Sequence, residues 1–259
     1  MFPKILQPIY SNKKNLIRIG PKKDGGYVID KRIIGKTDYI VTCGLNDDWE
    51  IEKEFLKYNQ KTQVIAYDHT VNNNFWVNKF FKDLIHFFLL KKLSYWKIKN
   101  IFSFIDYNFF FRNRNIHHKL MIDSVTKSKL SININEIVKN KKNILLKVDI
   151  ENTEYKILKQ IISNSKKINC LIIEFHNIKK NFNKIISFVK KNKYLKLIHL
   201  HCNNIKQLDK YNLPYAIEMT FINKKKISLS NKKTIFSYPI KKLDYPNVKR
   251  YEDIKIIFN

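Results

Sequence analysis

The chain is poor in the residues that break, pin or cross-link a backbone. Five glycines and six prolines among 259 residues exclude a collagen-like or low-complexity architecture. The three cysteines, Cys43, Cys170 and Cys202, stand far apart with no CxxC pair. That argues against a cysteine-held zinc site or a disulfide scaffold and suits a reducing compartment. Acids are scarce as well: 22 Asp and Glu against 50 Lys and Arg give a formal charge of +28. Such an excess suits a nucleic acid or an anionic membrane. Here, though, the lysines are spread along the whole chain among Asn and Ile, as A/T-rich coding produces without any partner. No apolar run approaches the roughly 20 residues that span a bilayer, and the stretch Met1 to Pro8 has no secretory core. The expected setting is the cytoplasm, with at most peripheral membrane contact. Neither a GxxxxGK[ST] phosphate loop nor a G-x-S-x-G elbow occurs.

What is present is a set of four apolar runs that end in acid, imidazole or amide groups. They are Ile144 to Glu151, Leu171 to His176, Leu197 to Asn204 and Tyr215 to Phe221. Short β-branched stretches of this kind are what strands buried on both faces require. In open α/β sheets, ligands bind at the carboxyl ends of the parallel strands. Asp149, Glu151, Glu174, His176 and His201 fall along one such edge, as in an enzyme.

The order of elements supports one α/β domain over 1–259. Residues 1–38 form an N-terminal segment with strands at Leu16 to Ile19 and Tyr27 to Ile29, joined by a turn at Asp24-Gly25-Gly26. Tyr39 to Cys43 is a buried strand with a tight exit at Gly44-Leu45-Asn46. A helix through Trp49, Phe55 and Leu56 follows, capped by Asp47 or Asp48. Gln63 to Tyr67 is the next strand, closed by Asp68. An acid about 20 residues beyond a glycine turn sits where a ribose-binding carboxylate sits in a βαβ unit. Residues 71–118 interrupt this rhythm with Phe75, Trp76, Phe80, Phe81, Phe87, Phe88, Tyr95, Trp96 and further aromatics interleaved with lysines. They read as a helical insertion over the ligand edge: an aromatic core layer, a lid, or an interfacial patch for membrane or polyanion. After a strand near Leu120 to Ile122, strands at 143–149, 168–175, 194–201 and 215–222 alternate with helices at 133–139, 153–162 and 181–191.

Several motifs together resemble a known family. Lys147-Val148-Asp149-Ile150-Glu151-Asn152-Thr153-Glu154 is similar to the K-[IVM]-D-[IV]-E-G-x-E signature of FkbM-type S-adenosylmethionine-dependent methyltransferases. Arg18-Ile19-Gly20, Asp24-Gly25-Gly26-Tyr27, Ile172 to His176, His199 to Asn204 and Glu218-Met219-Thr220 resemble the methyltransferase-like branch of that group. The resemblance covers most of residues 16–70 and 116–250. It implies a Rossmann-like seven-stranded sheet, mostly parallel with an antiparallel final strand, and methyl transfer from S-adenosylmethionine to a hydroxyl of a sugar or small metabolite. It further implies that Cys43, Gly44 and Leu45 lie under the cofactor's methionine portion and that Asp68 receives the ribose hydroxyls. Two positions depart from the family pattern. Thr42-Cys43-Gly44-Leu45-Asn46-Asp47 lacks the acid and second glycine of D-x-G-x-x-x-G, and Asn152 stands where glycine is usual.

O-methylation needs alignment of acceptor, methyl and sulfonium, and removal of the acceptor's proton. His176 and His201 are the candidate bases, since imidazole titrates near neutrality. Asp149 and Glu174 are candidates to orient them. Asp149, Glu174 and His176 are also candidates to hold a divalent ion, Mg²⁺ or Mn²⁺. Glu151, Asn203, Asn204 and Glu218 are candidate substrate contacts, and Asp24, Gly25 and Gly26 a loop closing over cofactor or acceptor. His199 reads as a core histidine, and His117 and His118 as solvated. The expected activity is methylation of a sugar hydroxyl in a surface-polysaccharide precursor. RNA methylation through the basic surface, or a degenerate methyltransferase fold that only binds, are the alternatives.

Overall fold

The computed structural model describes residues 2–9, 12–89, 102–126, 128–206, 208–229, 233–234 and 236–259. Leu16–Ile19 (β1) and Tyr27–Asp30 (β2) pair antiparallel around the Asp24-Gly25-Gly26 turn. The turn is pinned by Arg18, whose guanidinium donates to the carbonyls of Pro21, Lys23 and Leu243. A side chain at Gly26 would place its Cβ 2.1 Å from the Pro21 carbonyl oxygen, so this hairpin closes only with glycine there.

The main sheet is built from Tyr39–Cys43 (β3), Gln63–Tyr67 (β4), Ile116–His118 (β5), Ile144–Val148 (β8), Ile168–His176 (β9), Leu195–Asn203 (β10) and Ala216–Asn223 (β11). Its seven strands run in the order β10-β11-β9-β8-β3-β4-β5. All pairings from β9 through β5 are parallel, whereas β11 lies antiparallel between β9 and β10. The Rossmann-like sheet with an antiparallel final strand is therefore present. Every residue of β8 and β11 is buried, as are eight of the nine in β9. Continuous Ile, Leu and Val runs put these strands at the sheet's centre, because both faces must be covered.

The α-helices among the described residues are Glu50–Tyr58 (α1), Asn73–Leu89 (α2), Ser103–Phe110 (α3), Ile134–Ile137 (α4), Glu154–Ser163 (α5) and Ile178–Lys191 (α6). In α1, α5 and α6 one apolar face packs on the sheet, through Phe55, Ile157, Ile161, Ile185 and Phe188. None of the described helices is long and apolar enough to cross a membrane.

The sequence reading missed one strand. It ended the insertion at residue 118 and put the next strand near Leu120 to Ile122. The edge strand is instead Ile116–His118, while Met121–Ile122 (β6) pairs with Ser131–Ile132 (β7) in a separate two-stranded ladder. Ile-His-His is three residues long and half-exposed, too short and polar to carry a strand pattern. His117 and His118 are accordingly only partly exposed. The His117 ring meets Tyr107 Oη at 2.5 Å and the Asp68 carbonyl oxygen at 3.0 Å, and His118 stacks on Tyr67.

Trp49, Trp76 and Tyr107 interlock with ring centroids 4.8 to 6.2 Å apart, forming with Leu45, Ala66 and Val71 a second apolar cluster. That part of the insertion is an aromatic core layer over the sheet's ligand edge. Its outer side leaves Phe80, Phe81, Ile85, Phe104, Ile105 and Phe109 exposed. Tyr95 and Trp96 lie outside the described residues.

Candidate active site

The strand order reverses between β3 and β8, and in an open α/β sheet this is where a ligand crevice forms. The two strands leave the sheet in contact. Asp149 donates its backbone N–H to the Cys43 carbonyl at 2.9 Å. Gly44 has φ +86°, and a Cβ there would lie 1.7 Å from the Asp149 carbonyl oxygen. Only glycine lets the β3 exit turn beneath the β8 exit. The next loop also turns sharply, with Glu151 and Asn152 both left-handed at φ 42° and 76°. Asn tolerates this conformation better than most residues, which explains how it can stand in the glycine position of the signature.

A cleft of about 660 Å³ opens above this junction, lined among others by Asp24, Gly25, Gly44, Leu45, Asp68 and Asp149. Leu45, Ile51, Leu120, Ile122 and Ile150 give it apolar walls, and Glu151 and Lys147 also reach it. Cys43 does not; it is fully buried, and burial pushes its thiol up to about 12. Asp68 closes β4 with both carboxylate oxygens engaged. Oδ2 accepts from the N–H groups of Leu45 (2.8 Å) and Asn46 (3.0 Å), and Oδ1 from the N–H and hydroxyl of Thr70 (2.8 and 2.6 Å). Burial alone would raise its pKa, but these hydrogen bonds prevail and hold it below the usual carboxylate value. Asp68 is thus an ionised staple for the Gly44 loop, and a ribose diol would reach it by sharing an acceptor. The walls, the glycine floor and the acid at the end of β4 fit a nucleoside cofactor.

Behind Asp149 lies a buried acidic group. Glu174, near the end of β9, and Glu218, near the start of β11, are opposite one another across the strands and both are buried. Asn203 donates to Glu174 Oε1 at 3.0 Å. His176 Nε2 lies 3.8 Å from Glu174 Oε1 and 3.9 Å from Asp149 Oδ1. Its Nδ1 meets Glu154 Oε1 at 2.8 Å, and the same oxygen accepts the His176 backbone N–H at 2.9 Å. Burial, then the neighbouring Asp149, Glu218 and Asp24, push Glu174 well above the usual carboxylate value. Asp149 is raised by burial, against the pull of Lys147 and His176. Although burial opposes it, the Glu154 hydrogen bond raises His176. Lys147, on β8, is the buried counter-charge: burial lowers its pKa, but Glu52, Asp149, Asp48 and Glu174 raise it overall. Asp68, Asp149, Asp24 and Glu151 share the cleft, while Glu174, His176 and Glu218 stand one layer behind it.

Three expectations need correction. His201 is no free base. Its Nδ1 is 3.2 Å from Glu218 Oε2 and its Nε2 2.9 Å from Asp253 Oδ1, so both nitrogens are committed to carboxylates. Asn204 is turned from the cleft into the C-terminal segment. Its amide group donates to the carbonyls of Val248, Tyr251 and Glu252 and its oxygen accepts from Val248 N–H, which ties β10 to the C-terminal segment. Asn203, with its amide on Glu174 and its oxygen on Ile205 N–H, supports the acidic group rather than facing the cleft. His199 is the core histidine expected, 3.0 Å from buried Asp244. Glu154, Lys147, Tyr27 and Asn247 escaped the sequence reading. Lys147 and Glu154 carried a signal as the first residue and the final acid of the 147–154 motif, and Tyr27 as the last residue of the 24–27 motif, whereas Asn247 carried none.

The family model described as the methyltransferase FkbM domain matches residues 103–196. No curated protein matches the chain. Among solved structures, an FkbM methyltransferase from Methylobacillus flagellatus KT superposes with a TM-score of 0.38 and 11% identity, over 71% of this chain and 44% of that one. Methanococcus jannaschii fibrillarin, a pre-rRNA processing protein, gives 0.38 and 12% over 73% and 68%. TYW2 from M. jannaschii, in complex with AdoMet, gives 0.36 and 13% over 82% and 89%. The family match supports a methyltransferase, and the resemblance carried by the 147–154 motif holds: over residues 103–196 this chain matches the FkbM methyltransferase domain.

Proposed function

We propose that the protein is an S-adenosylmethionine-dependent methyltransferase that methylates a hydroxyl of a sugar, in a surface-polysaccharide precursor of the cytoplasm. The carrying observation is the Gly44–Asp149 junction, a glycine floor at the sheet's switch point with an acidic group directly behind it. The cofactor, when bound, supplies a methyl group on a sulfonium sulfur. Gly44, Leu45 and Asp68 would line its place, and Asp24 and Gly25 would form the opposite wall. The Asp149–Glu174–His176 group would take the hydroxyl proton as the acceptor oxygen received the methyl group. Carboxylates crowded there accept hydrogen bonds from a polyol, which favours a neutral or cationic acceptor over a phosphate.

The same acids weigh against RNA as the acceptor. Asp24, Asp47, Asp48, Asp68, Asp149 and Glu151 all line the cleft, so a phosphate backbone would be repelled from it. Against these six acids the cleft sets two lysines, Lys23 and Lys147, and further lysines stand on the other side of the sheet. Lys36, Lys61, Lys142, Lys166 and Lys193 precede β3, β4, β8, β9 and β10, and Lys224 follows the antiparallel β11. All of these positions fall on the edge of the sheet opposite the cleft. A degenerate, binding-only fold is disfavoured by the retained Asp149, Glu174 and His176 grouped beside the cleft.

Titration calorimetry with S-adenosylmethionine tests the reading, with micromolar binding expected. Mass spectrometry of glycan and small-molecule pools, with and without the active protein, then seeks a gain of about 14 daltons in a sugar-containing species. Absence of cofactor binding by the folded protein sinks the proposal.

A further inference from the structure

Two sets of metal-capable side chains share Glu174: Asp149 with Glu174 and His176, and Asp24 with Glu174 and Glu218. They differ in what already lies between the acids. In the second set, the Asn247 amide donates to both Asp24 Oδ1 (2.8 Å) and Glu218 Oε1 (2.7 Å), and His201 stands against Glu218. That space is filled by neutral and imidazole donors. In the first set it is not. Among the described residues, neither the Asp149 carboxylate nor His176 Nε2 has a hydrogen-bond partner; they face each other at 3.9 Å, with Glu174 Oε1 at 3.8 Å from the same nitrogen.

The orientation of His176 is a separate observation that points the same way. Its Nδ1 side is fixed by fully buried Glu154, which takes both the ring and backbone N–H groups of His176 on one oxygen. With the proton on Nδ1, the Nε2 lone pair is aimed between the two carboxylates. A carboxylate behind an imidazole, setting its tautomer and raising its basicity, is the arrangement that supports metal-bound histidines. An imidazole nitrogen and two carboxylates that converge with no protein donor between them draw positive charge, whether a proton or a metal ion.

The distances suit an ion. At a metal–donor length of about 2.1 Å, neighbouring donors stand about 3.0 Å apart and opposite donors about 4.2 Å. The three donor atoms here all lie within 4.8 Å of one another, so changes of a few tenths of an ångström at each side chain would close the shell. The Asp149 side chain is 32% exposed and opens on the cleft, which gives an ion its way in and leaves coordination positions facing the acceptor. One imidazole with two carboxylates suits Mn²⁺ better than Mg²⁺.

We infer that Asp149, Glu174 and His176 bind one divalent cation, Mn²⁺ in preference, whose open positions take two adjacent hydroxyl oxygens of the acceptor. The acceptor is then a vicinal diol, held by the ion beside the cofactor cleft. The diol assignment rests on the methyltransferase reading above; the cation site does not. Glu154 acts in it as a positioning residue.

The test titrates Mn²⁺ into chelator-treated protein without cofactor, following the electron paramagnetic resonance signal of free Mn²⁺, and measures S-adenosylmethionine binding separately by calorimetry. One Mn²⁺ per chain is expected. Affinity should fall at least tenfold in Glu174→Gln and in Asp149→Asn, the latter altering only a partly exposed side chain, and about tenfold in Glu154→Gln. Glu218→Gln should keep the ion. Circular dichroism establishes that each variant is folded. If the wild type binds the cofactor but no Mn²⁺, or if the Glu174 and Asp149 variants bind Mn²⁺ as wild type does, the cation site is overturned and the methyltransferase reading stands. If Mn²⁺ binds as described and the cofactor does not, the site stands and the diol assignment falls with the methyltransferase reading.

Discussion

A Cβ on Gly44 would sit 1.7 Å from the carbonyl oxygen of Asp149, well inside van der Waals contact. The exits of the two strands that flank the switch point are therefore locked to each other through a missing side chain. Gly44→Ala adds left-handed backbone strain of about 1 kcal/mol to a clash that only backbone movement relieves. The melting temperature should drop by about 10 °C, at the 2–4 °C per kcal/mol usual for chains approaching this size. Cofactor binding, read by calorimetry, should be lost. A variant as stable and as competent as wild type would show that the junction yields freely.

Much of this architecture was legible in the sequence, because central strands announce themselves. Ile144 to Val148 and Leu171 to Phe175 are continuous apolar runs that only a doubly covered strand explains, and the acids ending them were correctly placed at one edge. What the sequence hid was partnership. His201 and His176 look alike at the ends of apolar runs, yet Glu218 and Asp253 close on one while Glu154 leaves the other a free nitrogen. Asp253 lies 52 residues beyond His201, and no local pattern reports contacts at that range. Ile116–His118 was missed for the opposite reason: edge strands need little apolar alternation.

Asp68 holds four hydrogen bonds, two of them from the loop that carries Gly44. Asp68→Ala leaves the Leu45 and Asn46 N–H groups without their acceptor, at about 1–3 kcal/mol for each one that stays dry. Calorimetry should show at least a tenfold loss of S-adenosylmethionine affinity, with a smaller loss in Asp68→Asn, which keeps one acceptor oxygen. Wild-type affinity in Asp68→Ala would remove this residue from the cofactor site.

His201 ties β10 and β11 to the C-terminal segment. Burial opposes its charge, but the hydrogen-bonded carboxylates of Asp253 and Glu218 outweigh it and lift its pKa well above the usual 6.5. Because the folded value exceeds the unfolded one, the stabilisation is fully present below about pH 6.5 and lost as pH rises through the folded value. His201→Gln should destabilise the protein by about 3 kcal/mol near pH 6, and the gap in melting temperature should narrow in alkaline buffer. A gap that stays constant from pH 6 to pH 10 would mean that no imidazolium bridges the two acids.

The separation of charge across the sheet makes a prediction about polyanions. A chain of formal charge +28 will attract RNA at low salt whatever its function, since each neutralised phosphate releases a counterion. The acids that line the cleft, Asp24, Asp47, Asp48, Asp68, Asp149 and Glu151, place that attraction on the far edge, where Lys166 and Lys225 crowd the Tyr194 ring from 5.6 and 5.1 Å. Binding of a labelled single-stranded RNA should weaken by orders of magnitude between 50 and 200 mM salt, and saturating RNA should leave S-adenosylmethionine affinity unchanged. Lys166→Glu combined with Lys225→Glu should weaken RNA binding without altering cofactor binding. An RNA that instead competes with the cofactor, or whose binding is lost on Asp149→Asn, would place the nucleic acid in the cleft and restore RNA as the acceptor. The sign of the charge around the cofactor, not the sum over the chain, decides between the two acceptors.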